Sequence, residues 1–243
     1  MMLVDTLLRI GMAPLLILQA LGVRKRAQSL PEAAGPRSGT MGNGPPLRLH
    51  IIGDSSAAGV GAETQQEALS GQLAAQLAGH FSVHWSLDAL TGATTRSTLQ
   101  RLQGGTPEKT DIVVVALGVN DITRLIPVSR WMALQMALTH RIRTLYQPQQ
   151  IYLSGIPPMG DFPMLPNPLR WTLGRQAAAF DRAMRQRAED LVDLHYLPFE
   201  MALTPDLMAT DGFHPNTDGY ALWAERVAKE ILGNGRAELT APR

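Results

Sequence analysis

Cysteine is absent from this chain of 243 residues. That excludes a disulfide framework, a thiol nucleophile and any thiolate-held zinc or iron–sulfur centre. It is neutral on compartment, because a chain without thiols folds equally well in oxidising and reducing surroundings. Excess charge of one sign is also missing. There are 22 basic and 21 acidic residues and a net charge of +1, so no global field draws the protein to nucleic acid. Aromatic residues make up 5% of the chain, thin for a surface on which bases would stack. Internal repeats and low-complexity tracts are lacking too. What is present is 45% hydrophobic and 18% charged, the balance of a globular protein. A chain of this length buries roughly 70% of its unfolded surface and needs no covalent staples.

The first forty-odd residues differ from the rest. Ile10 to Val23 is an apolar window interrupted by Gln19 and bent by Pro14. As a helix it would be about 21 Å long, short of a bilayer core of about 30 Å. Extension back to Met2 brings in Asp5 and Arg9, and the cations Arg24, Lys25 and Arg26 follow the run. A cleaved secretory leader has its cations in front. The pattern suits an interfacial helix or short anchor over residues 1–29. It would touch a membrane surface through residues 3–26, with the main domain on the cytoplasmic side. The competing reading is a helix packed on its own domain, in a protein soluble in the cytoplasm or periplasm. Leu30 to Pro46 is rich in Gly, Pro and Ser and reads as a linker.

From Leu47 strands and helices alternate. Apolar or alternating runs at 47–53, 81–90, 111–118, 151–157 and 191–198 predict strands. Helical spacing covers 62–78, 95–102, 129–146, 170–190 and 218–232. Five alternations predict a parallel sheet covered on both faces, a three-layer α/β/α sandwich. The expected domain is 47–232, with a C-terminal tail at 233–243. In such a sheet the loops at the carboxyl ends of the strands carry the site.

Four short blocks fall at that rim. Gly53-Asp54-Ser55-Ser56 follows the first strand. Ser55 has small neighbours that leave room for a substrate, although a serine beside glycine is also an ordinary turn residue. No Lys completes a nucleotide-binding loop here, and Gly59-Val60-Gly61 lacks the third glycine of a dinucleotide fingerprint. Asp211-Gly212-Phe213-His214 precedes the last helix. An Asp and a His three apart on one loop can form a base with its orienting carboxylate, or simply close a turn. Gly118-Val119-Asn120-Asp121 follows the strongest strand, where an Asn amide can aim at a developing oxyanion. Gly92 follows the second strand and could offer a bare backbone N–H to the same oxygen. A metal site lacks partners: His80 and His84 lie on an alternating strand pattern, and His50 sits inside the first strand.

Taken together, Gly53-Asp54-Ser55, Gly92, Gly118-x-Asn120-Asp121 and Asp211-x-x-His214 resemble the SGNH hydrolases, the GDSL family of esterases and lipases, in their order along the chain. The resemblance covers roughly residues 47–232. It implies a flavodoxin-like five-stranded parallel sheet in the order 2-1-3-4-5, and ester or thioester hydrolysis without metal or cofactor. It implies Ser55 as nucleophile, His214 as base, Asp211 as its orienting partner, and an oxyanion hole of the Ser55 N–H, the Gly92 N–H and the Asn120 amide. Ser56 departs from the family's Leu, which implies altered loop packing. No Gly-x-Ser-x-Gly elbow occurs, which disfavours the other common hydrolase fold.

The substrate expectation rests on residues 157–168, where five prolines stiffen an apolar loop. Met159, Phe162, Met164 and Leu165 would either wall an acyl-binding site or pack beneath the loop. The expected substrate is a small-molecule or lipid ester, with a carbohydrate O-acetyl group as the alternative. A flavodoxin-like ligand-binding protein without catalysis is the reading from another class. Trp131, Trp171 and Trp223 fall on helices and read as core.

Overall fold

The computed structural model describes residues 2–239, with side chains described over 11–233. Six strands form one sheet: β1 (Ser38–Met41), β2 (Pro46–Gly53), β3 (Ser82–Ala89), β4 (Ile112–Ala116), β5 (Gln150–Ser154) and β6 (Leu194–Leu197). Their spatial order is β1-β3-β2-β4-β5-β6. The five strands from β2 to β6 are parallel and reproduce the expected 2-1-3-4-5 order. The sixth, β1, is an antiparallel edge strand against β3 and lies inside the segment expected to be a linker. Its Ser-Gly-Thr-Met sequence has no apolar alternation, because three of its four residues face solvent. Tertiary pairing, not side-chain pattern, makes it a strand.

The central strand shows how the layers arise. All five residues of β4, Ile-Val-Val-Val-Ala, are buried. Successive side chains point to opposite faces, so Ile112, Val114 and Ala116 enter one core and Val113 and Val115 the other. The first core takes Leu69, Leu73 and Leu77 from α2 (Leu69–Ala78) and Tyr220, Ala224 and Val227 from α7 (Thr217–Leu239). The second takes Leu102 from α3 (Thr95–Gln103), Trp131, Leu138 and Ile142 from α5 (Val128–Tyr146), and Leu173 and Phe180 from α6 (Leu169–Ala188). Each fully buried aliphatic side chain contributes about 1.5–3 kcal/mol relative to exposure. Trp131 stacks on Phe180 with ring centroids 4.1 Å apart.

Three boundaries differ from expectation. The helix expected from residue 62 begins at Leu69. Residues 59–68 are instead held as a loop: Ala34 bridges to Thr64, and the buried Gln65 amide donates to Ala33 O and Ala58 O. A one-turn helix, α4 (Val119–Thr123), follows β4 where only a loop was expected. The last helix continues through most of the expected tail to Leu239; the tail's residues 240–243, like Met1, lie outside the described residues.

The N-terminal window is the helix α1 (Met2–Arg26). Leu16 is buried in the second core, with Met12 and Val23 against it. The Gln19 amide donates to Asn167 O at 2.6 Å and its oxygen accepts from Leu169 N–H at 3.0 Å. Among the described residues, no helix is long and apolar enough to cross a membrane.

Candidate active site

The sheet order reverses at β2, whose two neighbours β3 and β4 come next in the chain. A crevice opens there, at the carboxyl ends of the strands. Ser55 stands in the turn immediately after β2, where Ala58 N–H bonds to Asp54 O and Val60 N–H to Ser55 O. The loop must then close against the segment that carries His214. Gly61 makes that approach possible. It has φ +101°, and a Cβ there would lie 2.3 Å from Pro215 O. Tyr220, fully buried on α7, fixes the same loop by donating its hydroxyl to Val60 O at 2.7 Å.

His214 Nε2 lies 2.8 Å from Ser55 Oγ, and His214 Nδ1 lies 2.6 Å from Asp211 Oδ2. The other Asp211 oxygen accepts the backbone N–H groups of Phe213 and His214 at 2.9 and 3.0 Å. Burial works against the Asp211 charge, but these bonds from His214 and Phe213 outweigh it and hold the carboxyl below its ordinary range. An ionised Asp211 held by these bonds favours the imidazole with Nδ1 as donor, which leaves Nε2 to accept from a hydroxyl.

Asn120 lies in the first turn of α4, after β4. Its amide donates to Ala93 O at 3.0 Å and to Asp54 Oδ2 at 3.3 Å. Asp54 is buried, and its other oxygen accepts the Ser56 N–H at 3.1 Å. Asp121, the next residue after Asn120, is also buried and accepts both the N–H and the hydroxyl of Thr95, the first residue of α3. Gly92 lies in the turn before α3, with φ +79° and open space on its side-chain side. Its conformation, rather than crowding, is what favours glycine there. The turns after β2, β3 and β4 are thus tied into one rim.

Beside this rim is a narrow cleft that opens to solvent. Leu117, Ile156, Phe162, Phe199, Met208, Phe213 and Trp223 make its walls apolar, and Asp54, Ser56 and Ser154 supply its polar groups. Of the four residues singled out on the proline-rich loop, Phe162 lines the cleft and stacks on Phe213 at 6.0 Å. Met159 and Leu165 are buried in the second core. Met164 is exposed on the outside of the loop, next to Gly212. Trp223, read from the sequence as core, is partly buried, lines the cleft and donates its indole N–H to Ser154 Oγ at 3.2 Å. Met208 and Phe199 lie in the irregular stretch between β6 and α7 and carry no periodic signal that would have found them. His50 bonds Ser86 and His84 bonds Thr40, both far along the sheet from the rim.

A mostly parallel sheet with a hydroxyl, an imidazole and a carboxylate in hydrogen-bonded sequence at its rim defines an ester-bond hydrolase of the SGNH type. The chain belongs to the GDSL-like lipase/acylhydrolase family, whose sequence profile matches residues 51–222. Among solved structures it is similar to the psychrotrophic esterase EstA of Pseudoalteromonas sp., with 24% identity over 76% of this chain and 97% of that one, at a TM-score of 0.57. It is also similar to the lipase Lip_vut3 from a goat rumen metagenome (19% identity, 79% and 100% covered, TM-score 0.63). A third is a Clostridium thermocellum family 3 carbohydrate esterase (17% identity, 79% and 98% covered, TM-score 0.61). No curated protein matches the chain.

Proposed function

We propose that the protein hydrolyses carboxylic or thioesters of apolar acyl groups through an acyl-enzyme on Ser55. The observation that carries this reading is the unbroken chain Ser55 Oγ–His214–Asp211, at 2.8 and 2.6 Å, beside an apolar cleft. His214 Nε2 takes the Ser55 proton as Oγ bonds to the carbonyl carbon, and the carbonyl electron pair moves onto its oxygen. That oxyanion is held by the N–H groups of Ser55 and Gly92 and by the Asn120 amide. Both amide hydrogens of Asn120 already have protein acceptors, so donation to the oxyanion replaces the longer one, to Asp54. The intermediate collapses, the carbonyl re-forms, and the leaving oxygen or sulfur departs with the proton from His214. Water, deprotonated by His214, then attacks the acyl carbon and releases the acid and Ser55.

The apolar walls favour an acyl chain over a bare acetyl group, since filling the cleft removes apolar surface from water. A panel of p-nitrophenyl esters of increasing chain length tests this. Medium chains should be cleaved faster than acetate. Ser55→Ala should lower turnover by about six orders of magnitude. A Ser55→Ala protein that keeps its turnover refutes the nucleophile. Strict preference for acetate refutes the acyl-chain reading in favour of a carbohydrate O-acetyl substrate.

A further inference from the structure

Helix α1 is apolar on two sides, and the fold covers one of them. At 100° per residue, Leu16, Gln19 and Val23 share the face that meets α6 and the loop before it. Leu18, Leu21 and Lys25 fall on the opposite face, with Ile17 beside them. Ile17, Leu18 and Leu21 are 59%, 67% and 58% exposed. The last turn ends in Arg24, Lys25 and Arg26, all exposed. Residues 11–26 contain no acidic residue, and α6 carries Arg170 in its first turn. An apolar helical face closed by cations complements an anionic bilayer surface: leucines enter the acyl boundary and cations meet the headgroups.

The helix is also fastened to the site. The Gln19 clamp on Asn167 and Leu169 holds the end of the loop whose Phe162 lines the cleft and whose exposed Met164 abuts Gly212, two residues from His214. We propose that α1 lies flat on an anionic lipid surface and so holds the 157–168 loop, and the cleft beneath it, at the water–lipid boundary. Docking itself stands on the helix alone; its use in presenting lipid esters rests on the esterase reading above.

The test uses the full chain with Ser55→Ala, so that binding is read without hydrolysis. Sedimentation with vesicles of phosphatidylcholine, alone or mixed with phosphatidylglycerol, should show partitioning that depends on the anionic lipid. Leu18→Asp/Leu21→Asp should abolish it. Arg24→Gln/Lys25→Gln/Arg26→Gln should weaken binding to the mixed vesicles by about two orders of magnitude and leave any binding to neutral vesicles in place. On the otherwise wild-type background, both multiple variants should keep the hydrolysis rate on a water-soluble short-chain ester and the wild-type melting temperature. Absence of binding, or equal binding to both vesicle types, overturns the proposal. So does a dimer in light scattering that Leu18→Asp/Leu21→Asp converts to monomer without any vesicle binding, because the face would then belong to a second copy. Loss of soluble-ester hydrolysis in the protein with Ser55 intact would refute the esterase reading and leave the vesicle result standing on its own.

Discussion

Asp54 gives the sharpest numerical test of the site. Burial raises its carboxyl from the ordinary 3.8 to about 6, and the Asp121 charge adds to this; the Ser56 N–H, the His214 charge and the Asn120 amide pull it back without cancelling it. The folded state therefore binds this proton more tightly than the unfolded chain. Between pH 3.8 and 6 the native protein keeps the proton that the unfolded chain has lost, so this group's contribution falls as pH rises through that window. A shift of this size corresponds to about 3 kcal/mol, lost as pH rises through about 6 and gone about one unit above it. Asp54→Asn removes the titration. The amide can still accept from Ser56 N–H, but its NH₂ then faces the NH₂ of Asn120, so the variant carries a constant packing and hydrogen-bond cost. The pH-dependent part is diagnostic. Urea unfolding of wild type and variant from pH 4 to 7 should show the wild type losing about 2.4 kcal/mol relative to the variant as pH rises. A difference that stays constant, or grows in favour of the wild type, would refute the account of Asp54 as a carboxyl forced to ionise without water.

Asn120→Ala removes one oxyanion donor and should lower kcat by about 10²–10³-fold with little change in KM, measured on the best ester of the panel; a loss of a few-fold would take Asn120 out of that role. Asp211→Asn lets the imidazole adopt the wrong tautomer and should cost about 10⁴-fold in kcat near neutrality, and a loss under tenfold would mean the Phe213 and His214 backbone bonds orient the ring alone. Gly61→Ala forces a Cβ toward Pro215 O at a positive φ; it should destabilise the fold by about 2 kcal/mol or more and open the gap between Ser55 and His214, read as a lower melting temperature with reduced kcat.

The parallel sheet was legible because its strands are buried on both faces and so read as unbroken apolar runs, as in Ile112–Ala116. The candidate site was legible because three of its four blocks follow strand ends, which periodicity locates, while the fourth, Asp211 to His214, was found by its Asp-x-x-His spacing before the last helix. Other parts carry no periodic signal. Strand β1 is polar and gains its bonds from β3. The 59–68 loop contains helix-forming residues, yet it is held by partners outside itself: Ala34 bridges Thr64, and the buried Gln65 amide donates to Ala33 O and Ala58 O. The cleft was hardest to see. Its walls come from five separate segments, and the loop that looked most like a wall supplies chiefly Phe162. Met159 and Leu165 turn inward because the second core has room for them.

The rim owes much of its geometry to bonds between side chains and backbone groups. Asn120 is aimed by Ala93 O, and Asp121 holds the N–H that begins α3. Asp211 takes two backbone N–H groups of its own loop, and Gly61 lets that loop touch the one carrying Ser55. The Asn120 and Asp121 bonds join the turn after β4 to the turn after β3. In the proposed mechanism, the Ala93 bond thus holds Asn120 at the crevice before the oxyanion forms. The exception is the 3.3 Å bond from Asn120 to Asp54. It is long, it ends on a carboxyl that burial disfavours as an anion, and it is the contact an oxyanion would replace. In the proposed mechanism Asp54 must release Asn120, and a shorter, stronger bond there would slow the reaction by stabilising the ground state more than the transition state.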